Sequence, residues 1–240
     1  MSRHQITLYA RHAEKLLTPK RFAVVADLHN GTYRDILPDV QGVNAVLIVG
    51  DLLNRHRHGT ALCEGFLRDA SKLAPLFFSV GNHERRSPEV NQLFELLERY
   101  GVTVLDDAWV RFSEDLVIGG FSSRAKRMPT SIPDSLTGMG SEVGFRLLLC
   151  HHPEYYPSLV QPLGFDLTLA GHAHGGQIQL FGRGLYAPGQ GLLPKLTHGW
   201  YDHGHLLISR GMTNSANLPR WNNPCEMILL DLLPGKEAFA

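Results

Sequence analysis

Residues 167–177 read L-T-L-A-G-H-A-H-G-G-Q, and everything else in the chain is best understood outward from them. An apolar run ends at Ala170, as a buried strand would, and Gly171 releases the backbone into a turn carrying His172 and His174. Gly175 and Gly176 tolerate positive φ and allow backbone to approach a ligand closely, so the turn suits a small, crowded polar site. On such a turn, imidazoles at i and i+2 can face different metal ions instead of chelating one. Two histidines in a loop are ordinarily solvated, so a metal site requires partners elsewhere in the chain.

Four other apolar runs end in the same way. Residues 22–26 lead into Asp27, Leu28 and His29; 45–49 into Gly50 and Asp51; 76–80 into Gly81, Asn82, His83 and Glu84; and 145–150 into His151, His152 and Pro153. In α/β sheets ligands gather in the crevice outside the carboxyl ends of the strands, so five such loops are expected to converge. In an extended tip, side chains at i and i+2 share a face, which lets Asp27 and His29 grip one ion while Leu28 returns to the core. The Asp51 carboxylate has two oxygens and can bridge two cations, which an imidazole cannot. Asn82 offers a neutral carbonyl oxygen. His83 beside it need not be a ligand and suits a general acid or a phosphate contact. Adjacent side chains diverge in a strand, so only one of His151 and His152 is expected to be a ligand. His198, His203 and His205 follow no strand end and are read as non-ligands.

The 240 residues can bury a substantial core and are read as a single domain spanning 1–240. Lys plus Arg and Asp plus Glu stand at 23 each, a balance that argues against general nucleic-acid binding but leaves room for a site gripping one phosphate. Cys63, Cys150 and Cys225 are odd in number, widely spaced and without a C-x-x-C pair, so neither a disulfide framework nor a zinc knuckle is indicated. They read as small apolar residues in a reducing compartment. No apolar stretch is long enough for a signal peptide or a membrane span, and the expectation is a soluble, cytoplasmic protein.

The apolar spacing over 62–73 and 88–97 predicts two helices, stopped by Pro75 and near Gly101. Strands alternating with helices predict parallel pairing. Residues 6–9 read as an edge strand, and 102–105, 109–112 and 116–118 as an antiparallel meander. Residues 121–144, with Arg124, Lys126 and Arg127 among several glycines and prolines, read as a long loop or short helix over the site that selects substrate. Residues 54–58, Arg85 and Arg86 read as solvated. Further strands are expected at 178–181, 206–208 and 227–232.

The five motifs in this order resemble the calcineurin-like metallophosphoesterase superfamily, and the match spans nearly the whole chain. G-H-A-H-G-G-Q-I-Q-L from Gly171, G-L-Y at 184–186, I-S-R-G at 208–211 and N-N-P-C-E at 222–226 look like the bacterial YkuE/YaeI-type phosphodiesterase branch, which includes enzymes linked to UDP-diacylglucosamine hydrolysis. The resemblance implies an α/β fold, a four-layer αββα sandwich with mixed sheets. It also implies a binuclear centre: Asp27, His29, Asp51 and His174 on one metal; Asp51, Asn82, His151 and His172 on the other; His83 in the general-acid or phosphate-binding role. Two departures stand out. Many relatives of this branch begin with a membrane anchor, which these residues lack, and Asn54 stands where an acidic residue often follows G-D.

The implied function is hydrolysis of a P–O bond in a small phosphoester, most simply a phosphodiester, by a hydroxide bridging two divalent ions about 3.5–4 Å apart. Mixed oxygen and nitrogen ligands suit Mn, Fe or Zn, with Mn expected to support activity in vitro. Two alternatives accompany this reading. One is hydrolysis of a lipid-linked nucleotide or phospholipid of the UDP-diacylglucosamine type, with peripheral membrane contact. The other is a non-catalytic scaffold of the same fold, against which the complete ligand set argues.

Overall fold

Each of the five motif loops follows a strand in the computed structural model, which describes residues 4–125, 128–214 and 218–240. The first half contains β1 (Gln5–Ala13), β2 (Lys20–Val25), α1 (Leu37–Val40), β3 (Ala45–Val49), α2 (Ala61–Ala70), β4 (Leu76–Ser79), α3 (Val90–Arg99) and β5 (Thr103–Val104). Then come β6 (Ala108–Ser113), β7 (Leu116–Phe121), α4 (Asp134–Met139), β8 (Phe145–Cys150) and β9 (Leu167–Ala170). The two-residue strands β10 (Gln179–Leu180), β11 (Arg183–Gly184), β12 (Tyr186–Ala187) and β13 (Gly191–Leu192) precede β14 (Gly199–Tyr201), β15 (Leu206–Ile208), β16 (Glu226–Pro234) and β17 (Ala238–Phe239).

Two mixed sheets result, ordered β17-β1-β16-β2-β3-β4-β5 and β14-β15-β9-β8-β7-β6. The central strands are parallel within each: β2, β3 and β4 in the first, and β7, β8 and β9 in the second. Their unbroken apolar runs reflect burial on both faces, and alternate residues serve different layers. On β3, Val46 and Ile48 pack beneath Phe66, Leu67, Leu93 and Leu97 of α2 and α3. Its Leu47 and Val49 face the other way, meeting Ile118, Leu147 and Leu149 of the second sheet. On β8, Leu148 and Cys150 point outward to Leu136 and Met139 of α4 and to Tyr156 and Val160 of the helical turns over 153–163. Helices, sheet, sheet and helices are the four layers of an αββα sandwich.

Three expectations are corrected. Residues 102–105 do not join an antiparallel meander: β5 pairs parallel with β4, and only β6 and β7 form a hairpin. The chain changes sheets after Leu105, which is fully buried between the two, and Asp107 turns it at φ 54°. Strand β1 runs for nine residues instead of four, paired along its whole length with β16; residues 6–9 keep the open edge expected of them, while β17 covers that edge at Arg11 and His12. Among the described residues of 121–144, none lines the cleft. Helix α4 packs on the outer face of the second sheet, where Gly119 makes room for it: a Cβ there would meet Met139 Sδ at 2.6 Å. Arg124 pairs with Asp107 at 2.8 Å, while Lys126 and Arg127 lie outside the described residues. Among the described residues no helix is long and apolar enough to cross a membrane.

Candidate metal centre

The parallel strands of the two sheets release their loops at one end, and the backbone there is strained. Asp27, His29, Asp51, His172 and His174 all adopt positive φ, at 55°, 48°, 57°, 62° and 46°. For residues with a Cβ this costs on the order of 1–3 kcal/mol each, and it persists where surrounding structure enforces it. The enforcement is visible in hydrogen bonds. His29 N–H donates to Asp51 O at 2.9 Å and Asn30 N–H to Leu52 O at 2.9 Å, so the loops after β2 and β3 continue as a bonded pair. Glu84, wholly buried, accepts from the backbone N–H groups of Asp51, Leu53 and Gly81, each at 2.9 Å, and thereby locks the loops after β3 and β4 together. Gly81 sits so close that a Cβ would lie 2.1 Å from Asp51 Oδ1.

Each carboxylate commits one oxygen to the backbone and turns the other inward. His172 N–H donates to Asp27 Oδ2 at 3.0 Å, and His83 N–H to Asp51 Oδ1 at 2.8 Å. Around the inward oxygens stand imidazole Nε2 atoms. Asp27 Oδ1 lies 3.5 Å from His29, 3.5 Å from His174 and 3.9 Å from His151. Asp51 Oδ2 lies 3.1 Å from His151, 3.8 Å from His29 and 4.0 Å from His83. Most of these separations exceed a hydrogen bond but match donors that share one ion at about 2.1 Å each.

Tautomers fit the same purpose. His29 Nδ1 lies 3.1 Å from Leu53 O, and His151 Nδ1 2.8 Å from Val49 O; a proton on each Nδ1 leaves Nε2 as a lone-pair donor, the usual arrangement behind a metal-ligating histidine. His29 Nε2, His151 Nε2, Asp27 Oδ1 and Asn82 Oδ1 are all buried without a hydrogen-bond partner. Two imidazole nitrogens, an amide oxygen and a carboxylate oxygen left unpaired in one buried cluster fit divalent cations. The groups able to hold a metal are Asp27, His29 and His174; His29, Asp51 and His83; Asp51, His151 and His172; and His152, Glu154 and His172.

Electrostatics agree. Burial pushes the Asp27 and Asp51 carboxyls up, yet the surrounding imidazoles outweigh it and hold both well below the usual carboxylate range. Burial likewise disfavours a charged His151, but Asp51 and Asp27 reverse this and raise it to about 10. His83 goes the other way. Burial dominates over the pull of Asp51, and His29 and Arg55 add to it, lowering the ring to about 3. The Arg55 backbone N–H donates to His83 Nδ1 at 3.2 Å, so the neutral ring carries its proton on Nε2, the atom facing Asp51.

All eight sequence-derived site residues therefore gather at one end of the sandwich. Asp51, Asn82, His83, His172 and His174 line a cleft of about 790 Å³, with Asp27, His29 and His151 behind it. Of the adjacent pair, His151 enters the centre. His152 stands beside it on the cleft wall, its ring 4.0 Å from that of His172 and stacked on Tyr155 at 4.7 Å, with Nδ1 2.8 Å from Glu154 Oε1. Asn54 is a loop residue, its side chain accepting from His56 N–H at 2.9 Å. His203 and His205 line a separate hollow with Arg11 and Asp166, and His198 contacts Gln179. Sequence reasoning missed Glu84 and Glu154. The adjacency of Glu84 to Asn82 and His83 was the one available signal; Glu154, 3.7 Å from His172 Nε2, gave none.

The calcineurin-like phosphoesterase family matches residues 20–176, a span that contains every one of these motifs. The chain belongs to the calcineurin-like phosphoesterases. The family is one of metal-dependent phosphoester hydrolases, which accords with the donor set. An uncharacterized metallophosphoesterase of Helicobacter pylori is 26% identical over 247 residues, covering 95% of this chain and 63% of its own length. Phosphodiesterase YaeI of Escherichia coli is 28% identical over 196 residues, 74% of this chain and 67% of its own. The chain thus spans 63% of the length of the Helicobacter relative. Among solved structures, the NAD nucleotidase of Haemophilus influenzae has the same fold, with a TM-score of 0.51 at 14% identity over 93% of this chain and 49% of that one.

Proposed function

We propose that this calcineurin-like phosphoesterase is a binuclear phosphodiesterase whose ligands are Asp27, His29, Asp51 and His174 for one ion and Asp51, Asn82, His151 and His172 for the other. The observation that carries the reading is the convergence of the buried Nε2 atoms of His29 and His151, which have no hydrogen-bond partner, on the inward oxygens of Asp27 and Asp51. When bound, the two cations would activate a water and neutralise charge on the phosphoryl oxygens.

The chain's own residues account for the rest. Asp51, whose Oδ2 lies within 4.0 Å of His29, His83 and His151, would be the ligand common to both ions. The neutral His83 ring offers Nε2–H towards the cleft, where it stabilises charge on the leaving oxygen as a fixed hydrogen-bond donor. It does so without needing the imidazolium form. Arg55 and Arg86 line the mouth and have no carboxylate partner, which favours an anionic ester. Yet the cleft remains specific for a local anion, since the whole chain carries no net charge. The similarity to YaeI supports a diester as substrate.

The test is hydrolysis of bis-p-nitrophenyl phosphate and p-nitrophenyl phosphate by metal-stripped protein, with and without Mn²⁺. Activity restored by Mn²⁺ and favouring the diester is the expected result. Equal activity before and after stripping, or a preference for the monoester, overturns the proposal.

A further inference from the structure

Beside the cleft, four segments of chain lie edge to edge. Leu193 N–H donates to Leu185 O at 2.9 Å, Leu185 N–H to Ile178 O at 2.9 Å, and Gln179 N–H to Trp221 O at 3.0 Å. At a strand spacing of about 4.8 Å this ribbon is about 15 Å wide. The hairpin of β10 and β11 turns at Phe181, and β13 ends beside Leu193. These tips are apolar and stand in solvent: Phe181 is 102% exposed, Leu192 81%, Leu193 74% and Trp221 59%. Scattered apolar residues on a surface are ordinary; four on one small ribbon are not.

Two further features show that the exposure is built in. Phe181 and Leu193 sit at φ 50° and 52°, a conformation bulky residues rarely take, so the fold accepts strain to hold them outward. Along the sequence the charge around them has one sign, and the carboxylate that approaches in space, Glu154 beside Gly189, is engaged by His152. Residues 167–201 and 203–225 contain no Asp or Glu, while Arg183 and Lys195 flank the tips and are exposed.

We infer that this ribbon docks the protein peripherally on an anionic lipid bilayer, with Phe181, Leu192, Leu193 and Trp221 entering the headgroup boundary and Arg183 and Lys195 facing lipid phosphates. Apolar tips flanked by cations bind anionic lipid through both terms at once, and Trp is favoured at the bilayer interface. A second copy of the chain is a poorer occupant. A two-fold contact through this face would set cations against cations with no carboxylate to pair them. Tyr186, Pro188 and Leu218, from the loops the ribbon carries, line the cleft. Docking therefore brings the cleft mouth to headgroup depth.

The experiment is co-sedimentation with vesicles of phosphatidylcholine alone or mixed with phosphatidylglycerol, which reads binding without turnover and so stands or fails apart from the phosphodiesterase reading. The variant is Phe181→Asn with Leu193→Asn, since Asn tolerates positive φ and keeps the hairpins foldable. Wild type should pellet with the anionic vesicles, less in high salt, and the variant should lose at least about tenfold in partitioning. Its melting temperature and bis-p-nitrophenyl phosphate hydrolysis should be undiminished. In wild type, brominated lipid should quench tryptophan emission, and Trp221→Phe should remove that quenching. Wild type left in the supernatant, a variant that pellets equally, or absent quenching overturns the inference. So does self-association of wild type that the variant abolishes, which would give the face to a second copy.

Discussion

Asp51 and His83 face each other at 4.0 Å, yet replacing them should have different effects. Asp51→Ala removes the oxygen common to both groups of donors, so bound metal and turnover should fall together, each by at least about 10²-fold. Metal content by mass spectrometry, read beside diester hydrolysis, checks this; a variant that keeps both sinks the bridging role. His83→Ala should keep its metal and lose about 10²–10³ in kcat, the cost of one fixed donor to a developing charge. A fall in metal content would make His83 a ligand instead. Glu84→Gln keeps a carbonyl oxygen for the Asp51 and Gly81 N–H groups but sets its NH₂ against Leu53 N–H, and should cost about 1–3 kcal/mol of stability by denaturant titration. Residues that meet the centre were legible because each follows an apolar run. Glu84 and Glu154 were not, because a carboxylate that accepts from backbone N–H groups or from a histidine two residues away in its own loop leaves no periodic trace. Nor could spacing choose between His151 and His152; the hydrogen bond from His151 to Val49 O does.

Elements are held together by fewer contacts than the cores imply, and the turn between β6 and β7 is one example. Asp115, buried in that turn, accepts from Leu17 N–H at 2.7 Å, Thr18 N–H at 3.3 Å, Ser113 Oγ at 2.6 Å and Lys20 Nζ at 2.7 Å. It therefore pins the start of β2 in one sheet to a hairpin of the other. Burial pushes its carboxyl up, but Lys20 and these donors prevail and hold it well below the usual range. A carboxyl depressed in the folded state stabilises fully above its unfolded pKa of about 3.9, and the stabilisation fades as pH falls below that value. Asp115→Ala should thus cost about 3–5 kcal/mol at pH 7, and the gap to wild type should narrow below about pH 4. A gap that is constant from pH 7 to pH 3 would remove the charge from the explanation. Strand and helix existence was legible here, while sheet membership was not. The run at 102–105 resembles that at 109–112, and only the turn at Asp107 sends the second to another sheet.

For the whole molecule, the site is a seam: Asp27, Asp51 and Asn82 come from the first sheet, His151, His172 and His174 from the second. A cation held by both resists their separation. With free Mn²⁺ at a hundred times its Kd, one bound ion adds about 2.7 kcal/mol, so a chelator should lower the melting temperature by about 5–10 °C. No shift in scanning calorimetry would mean that the donors hold no ion under those conditions. The αββα plan came with the family resemblance that the five strand-terminal motifs carry, whereas the apolar runs by themselves spoke only for parallel strands buried on both faces. What no pattern revealed was the apolar ribbon over 177–193, since Leu and Phe between glycines read equally well as buried strand or exposed hairpin. The order of the first sheet was hidden too. Strand β16 lies between β1 and β2, although it begins at Glu226 and β2 ends at Val25. On a ribosome adding about 5–20 residues per second, those first two strands wait tens of seconds for the strand that joins them. Until then both facing edges are open templates for pairing with other chains. Closure of this sheet is therefore a late event in its biogenesis.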